Sequence, residues 1–118
     1  MRRLPTAHEA WGAVWALRAI RSARRQLRRS GYEGIELPPV PRRQEAAARG
    51  VRVVLRRLPA TCLERAVILQ RWRAAQGDPH DVVVGVIGPG AHFRAHAWLD
   101  DEEPDGTVRY RELLRIRP

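Results

Sequence analysis

An α+β fold follows from three features of the 118-residue sequence. Arginine-rich stretches with helical spacing fill the first half, a capped helix opens the second, and three short strand-like runs close it. That order places helices first and then a cysteine-bearing helix packed on a small antiparallel sheet. The length matches a single domain of ~100–200 residues. Residues 1–118 are therefore expected to form one domain, with a basic helical part over 1–58 and a core over 59–118.

Each element has a local cause. Over residues 9–29, Trp11, Val14, Trp15, Leu17, Ile20 and Leu27 keep helical spacing with arginines between them, and Ser30-Gly31 supplies a stop. Leu37-Pro38-Pro39-Val40-Pro41 is extended or turned, because its closely set prolines forbid a helix. A second helix is expected over 42–58, where Gly50 is a weak point costing about 1 kcal/mol relative to Ala. Cys62–Ala75 is the third helix, with Gly77 as its C-terminal cap and the turn-forming Asp78-Pro79 after it. Residues 81–88 hold the apolar run of a buried central strand. Residues 93–100 alternate, and 107–113 follow the acidic turn Asp101-Glu102-Glu103-Pro104-Asp105-Gly106. These last two runs are expected to pair as an antiparallel hairpin.

Composition narrows the function. With 44% hydrophobic and 30% charged residues, the chain can build one modest core. No stretch approaches the ~18 apolar residues of a membrane span, and no signal-peptide apolar region is evident. A cytoplasmic domain is the expectation. All 22 basic residues are arginine. Residues 1–57 hold 14 of them against 4 glutamates, a net of +10, whereas 58–118 hold 8 against 9 acids, a net of −1. The basic half suits an anionic partner such as nucleic acid or an acidic peptide. Arginine at every basic position, where a binding site would need it only locally, favours a solvated helix face in a protein from a GC-rich genome. The one cysteine, Cys62, excludes an intramolecular disulfide and any four-cysteine zinc module.

That thiol sits where chemistry is favoured. Thr61-Cys62-Leu63-Glu64 fits a capping box, with Thr61 as N-cap and Glu64 closing the reciprocal bond. Cys62 is then the first helical residue, where unpaired amides and the positive end of the helix dipole favour a thiolate and an oxyanion. The alternative is a small buried hydrophobe at a helix start. His96, in Phe93-Arg94-Ala95-His96-Ala97-Trp98-Leu99-Asp100, shares a strand face with Trp98 and Asp100 and is flanked by small alanines. An imidazole that takes the thiol proton is the second member of a cysteine–histidine pair. His8, His80 and His92 lie near a terminus or in loops. A hairpin turning about Pro104-Asp105 puts Glu112 or Leu113 opposite His96, which makes Glu112 the first choice of orienting acid. Asp100, roughly 7 Å along the strand, is the second.

These residues carry a resemblance. Cys62-Leu63-Glu64-Arg65-Ala66, Leu69-Gln70-Arg71-Trp72, Val83-Val84-Gly85-Val86 and Ala95-His96-Ala97-Trp98 occur in one order. Together they resemble the leader peptidases of lasso-peptide biosynthesis, cysteine proteases with a transglutaminase-like, papain-like core. The likeness covers 50–114 well and the N-terminal helices more loosely. It implies a peptidase that removes the leader of a ribosomally made precursor, with Cys62 as nucleophile and His96 as general base and then acid. It further implies a small leader-recognition protein that delivers the substrate, and an ATP-dependent macrocyclase that uses the freed amine. No cofactor and no metal are implied. The family's usual third residue is an aspartate on the strand after the histidine, where Tyr110-Arg111-Glu112 stands here. Trp11, Trp15 and Tyr32 then become a docking face for the delivery complex, or remain core. Trp98 covers the catalytic pair or shapes a substrate subsite.

Other classes compete. A nucleic-acid-binding module is suggested by the basic helices but lacks any helix-turn-helix or aromatic RNA-binding motif. A zinc site from Cys62, His92 and His96 matches no common ligand spacing. A non-catalytic scaffold of the same fold, or a sister transferase using the same acyl-enzyme chemistry, stays open.

Overall fold

The first helix, α1, runs from Ala7 to Ser30 and begins with a capping box that the sequence reading missed. Thr6 Oγ1 accepts the Glu9 N–H at 3.1 Å, and the Glu9 carboxylate accepts the Thr6 N–H at 3.4 Å. The structure is a computed structural model that describes residues 6–30, 35–40, 45–88, 94–102 and 110–118. They fall into two compact units, residues 1–60 and 61–118. The expected helix stop at Gly31, the start of the second helix at 42–44, and Tyr32 lie outside the described residues.

In the first unit, α1 packs on α2, Glu45–Arg57. The buried stripe of α1 is Gly12, Trp15, Ala16, Ala19, Ile20 and Ala23, a run at helical spacing made mostly of small residues. It meets Ala47, Val51, Val54 and Leu55 of α2. Glycine permits the closest approach. A Cβ on Gly12 would lie 2.0 Å from the Ala47 carbonyl oxygen. Residues 35–40 run back along α1, where Gln26 bonds to both the N–H and the carbonyl of Glu36 and Trp15 Nε1 donates to the Pro38 carbonyl at 3.0 Å. The guanidinium of Arg24 reaches the Pro59 carbonyl at 2.8 Å, so α2 follows α1 in the same direction.

The second unit holds α3, Cys62–Ala75, and strands β1, Val82–Ile87, β2, Arg94–Leu99, and β3, Arg111–Ile116. Past the C-cap Gln76, α3 ends at Gly77 in the left-handed region (φ 86°). The Gly77 N–H bonds to the Ala74 carbonyl and the Asp78 N–H to that of Arg73, a Schellman closure that needs glycine at this point. Helix α3 packs against β1 and β2. Gln70, fully buried, donates to the carbonyls of His80 at 2.9 Å and Ile116 at 2.7 Å, tying α3 to the approach to β1 and the end of β3.

The strand order is β2-β1-β3, with both neighbours antiparallel to β1. This corrects the expected hairpin, since β2 and β3 flank β1 and never pair. The apolar run Val82-Val83-Val84-Gly85-Val86-Ile87 takes the centre, where a strand has partners on both edges. Val82, Ala97, Leu99 and Ile116 are buried on one face. The other face carries Val83, Gly85, His96 and Trp98.

Candidate active site

Cys62 is the first residue of α3, half-buried and free. Its placement rests on the cap. Thr61 Oγ1 accepts the Glu64 N–H at 3.1 Å, and Glu64 Oε1 accepts the Thr61 N–H at 2.9 Å. The helical ladder starts with the Arg65 N–H on the Thr61 carbonyl. The N–H groups of Cys62 and Leu63 are therefore left at the mouth of the helix, where the dipole adds positive potential.

His96 stands on β2, paired with Gly85 of β1. Its ring stacks on Trp98, with centroids 5.8 Å apart and planes at 21°, and lies 5.5 Å from Tyr110. Trp98 and Tyr110 are themselves 5.6 Å apart, so the three rings touch pairwise. Trp98 is paired with Val83, yet its indole leans along the sheet over Gly85. A Cβ there would be 2.6 Å from Trp98 Cη2 and 2.8 Å from Tyr110 Cβ. No hydrogen bond joins His96 to Cys62 or to any other described residue.

Neither acid chosen from the sequence reaches His96. Glu112 is also paired with Gly85, but from β3, so the whole central strand separates it from His96. No hydrogen bond crosses that strand between the two side chains. Glu112 bonds instead to Arg115 Nε at 2.8 Å. Residues three apart lie on opposite faces of a regular strand, but a bulge opposite Val84/Gly85 adds one residue to β3 and returns both to one side. Asp100 bonds to His80 Nδ1 at 2.6 Å and to the Asp81 N–H at 3.2 Å. Those two bonds, backbone first, hold its carboxyl below the usual aspartate value.

The histidine set aside as a loop residue is thus the one with carboxylate partners. His80 Nε2 meets Asp78 at 2.8 Å, and Arg73 forks across Asp78 and Asp101. The signal was present in Asp78-Pro79-His80 and Asp100-Asp101, but only the fold brings the two together. His80, Asp100 and Asp101 also place three donor atoms within 4.8 Å of one another. Arg73 already occupies both oxygens of Asp101, so these groups form a hydrogen-bonded, ion-paired network. His92, of the weighed zinc site, lies outside the described residues.

Trp15 is 3% exposed with its indole N–H bonded, which removes it from the docking face expected of it. Trp11 is 44% exposed.

A family model for the transglutaminase-like superfamily matches residues 4–115. The chain belongs to that superfamily. Its fold is typically that of a cysteine protease, and the three helices and small antiparallel sheet of the described residues agree with it. No curated protein and no solved structure matches the chain. Among the described residues, no helix of this transglutaminase-like protein is long and apolar enough to cross a membrane.

Proposed function

We propose that this protein is a cysteine peptidase that removes the leader from a ribosomally made lasso-peptide precursor. The observation that carries the proposal is Cys62 as the first residue of a box-capped helix packed on the strand that bears His96, in a transglutaminase-like chain. The finer assignment rests on the motif resemblance around Cys62 and His96.

The chemistry follows from those two groups. His96 takes the thiol proton, and the thiolate attacks the scissile carbonyl carbon. The carbonyl π electrons move onto oxygen, where the N–H groups of Cys62 and Leu63 meet the developing charge. Collapse breaks the C–N bond as the imidazolium of His96 protonates the departing amine. Water, deprotonated by His96, then hydrolyses the thioester and restores the thiol. The freed amine is the group an ATP-dependent macrocyclase would join to an acidic side chain.

A small leader-recognition protein delivers the substrate in this reading. Its support is the open flank of α1, where Trp11, Val14 and Leu17 are exposed in series and Arg21, Arg25 and Arg28 follow. One aromatic anchor with aliphatic neighbours beside arginines suits a partially acidic protein surface.

The test is cleavage of the precursor followed by mass spectrometry, with and without the recognition protein. A single cut that vanishes in Cys62→Ala and is accelerated by the partner supports the proposal. An intact precursor with folded enzyme and partner rejects it, and salt-sensitive binding of generic DNA in its place would move the function to the basic helices.

A further inference from the structure

We infer that the imidazole of His96 is held in place by an aromatic clamp, Trp98 and Tyr110 seated over Gly85, which stands where a carboxylate would orient it. This rests on the proposed role of His96 as general base.

Among the described residues, the two carboxylates expected beside His96, Asp100 and Glu112, are committed elsewhere. Asp100 is bonded to His80, and Glu112 lies across β1 and is bonded to Arg115. The ring of His96 has instead two aromatic partners on different elements. Trp98 stacks on it from the same strand, and Tyr110 meets it from the residue that leads into β3. The two also touch each other. Three mutually packed rings leave the imidazole little freedom about its side-chain torsions, which is what an orienting acid otherwise provides.

The clamp has a floor made for it. Only a glycine at position 85 lets Trp98 and Tyr110 close over β1, since any Cβ there would run into both. Tyr110 also lies in the stretch Tyr110-Arg111-Glu112, where a third residue was sought on sequence grounds. Tyr110 and Trp98 are positioning residues in this arrangement, acting through His96 and not on the substrate.

The experiment has two readouts on folded full-length protein. The first is independent of activity: the His96 ring-proton resonances, displaced upfield by the neighbouring rings, move back toward ordinary values in Tyr110→Leu and in Trp98→Leu. Unmoved resonances in both variants overturn the clamp, whether or not the protein cleaves a precursor. The second is kinetic, with the precursor and the recognition protein. Tyr110→Leu lowers kcat by roughly tenfold to a hundredfold with KM little changed, the scale expected of a misplaced catalytic group. Tyr110→Phe, which keeps the ring and loses the hydroxyl, restores activity. Glu112→Gln, Asp100→Asn, Glu103→Gln and Asp105→Asn stay near wild type. Equal losses in Tyr110→Phe and Tyr110→Leu, or a large kcat loss in any of the four acid variants, overturn the proposal. Wild-type cleavage that survives Cys62→Ala defeats the peptidase reading alone, and the resonances still decide the clamp.

Discussion

Asp100 is hydrogen-bonded to His80, its Oδ1 2.6 Å from the ring Nδ1, although it directly follows the strand that bears His96. Asp78 takes the other ring nitrogen, so both nitrogens face carboxylates. Only the protonated imidazole has an N–H for each. The Asp100 bond raises His80 above its ordinary value of 6.5, opposed by desolvation and helped by Asp78.

A raised folded-state value means that the stabilisation is complete below 6.5 and is lost as pH rises through the folded value. Asp78, Asp100 and Asp101 shift the other way, so their contribution is present above 3.8 and is lost as pH falls through their lowered values. The melting temperature should therefore fall as pH rises above 6.5. In His80→Gln that fall should be much smaller. Thermal melts by circular dichroism check this, and an undiminished pH dependence in the variant would assign the effect to another group.

Gly85→Ala tests the floor beneath the rings. The new methyl would stand 2.6 Å from Trp98 and 2.8 Å from the Tyr110 Cβ, and neither is the free end of a flexible chain. Overpacking of this kind costs about 1–3 kcal/mol. Urea unfolding should show that loss, and the double variant Gly85→Ala with Trp98→Leu should recover part of it. No change in the single variant would mean that the rings move aside freely.

How far the sequence spoke depends on which residues carried the structure. The Thr61–Glu64 box and the Gly77 turn were legible because both are local, closing within three or four residues. The sheet was not. Reading Val82–Ile87 as a central strand already implied two neighbours for β1, which in a three-stranded sheet forbids the β2–β3 hairpin. Adjacency along the chain favours the hairpin, but the central strand takes both partners, and Glu112 pairs with Gly85 instead of lying opposite His96. On α1, the helical spacing of Trp11, Val14, Trp15, Leu17, Ile20 and Leu27 marks the helix but not its packed stripe, which is Gly12, Ala16, Ala19 and Ala23 around Trp15 and Ile20. Small residues carry little weight in a hydrophobicity pattern and much in how closely two helices approach. The His80 network was hidden because its two halves, Arg73 to His80 and Asp100-Asp101, are 20 or more positions apart wherever they join.

Gly50 shows the same point as a prediction. Helix propensity alone favours Gly50→Ala by about 1 kcal/mol. A Cβ at this position would lie 1.8 Å from the Glu9 carbonyl oxygen and 2.8 Å from the Ala13 nitrogen, both backbone atoms of α1. The helices would have to separate, so the substitution should destabilise by about 1–3 kcal/mol despite the better propensity. A raised denaturation midpoint for Gly50→Ala would show that this contact is not tight. Gly77→Ala offers a contrast, since nothing lies within 4 Å of its Cβ but its φ is 86°. Its cost comes from backbone strain alone, roughly 1 kcal/mol.

The last prediction concerns the cap that sets Cys62 at the helix start. Thr61→Ala removes the acceptor of the Glu64 N–H and leaves that donor half-buried beside the thiol. The Glu64 carboxylate keeps its bond from the Thr61 N–H, which is a backbone group, so only one half of the box is lost. The expected cost is about 1 kcal/mol, and for a small domain this lowers the melting temperature by roughly 4–8 °C. Thr61→Ser restores the hydroxyl and should return to wild-type stability. Thr61→Val keeps the size and branching of threonine without the acceptor, and should melt with Thr61→Ala. Were the valine variant instead as stable as wild type, the packing of the Thr61 methyl would account for the conformation at the start of α3, and the hydrogen bond would not.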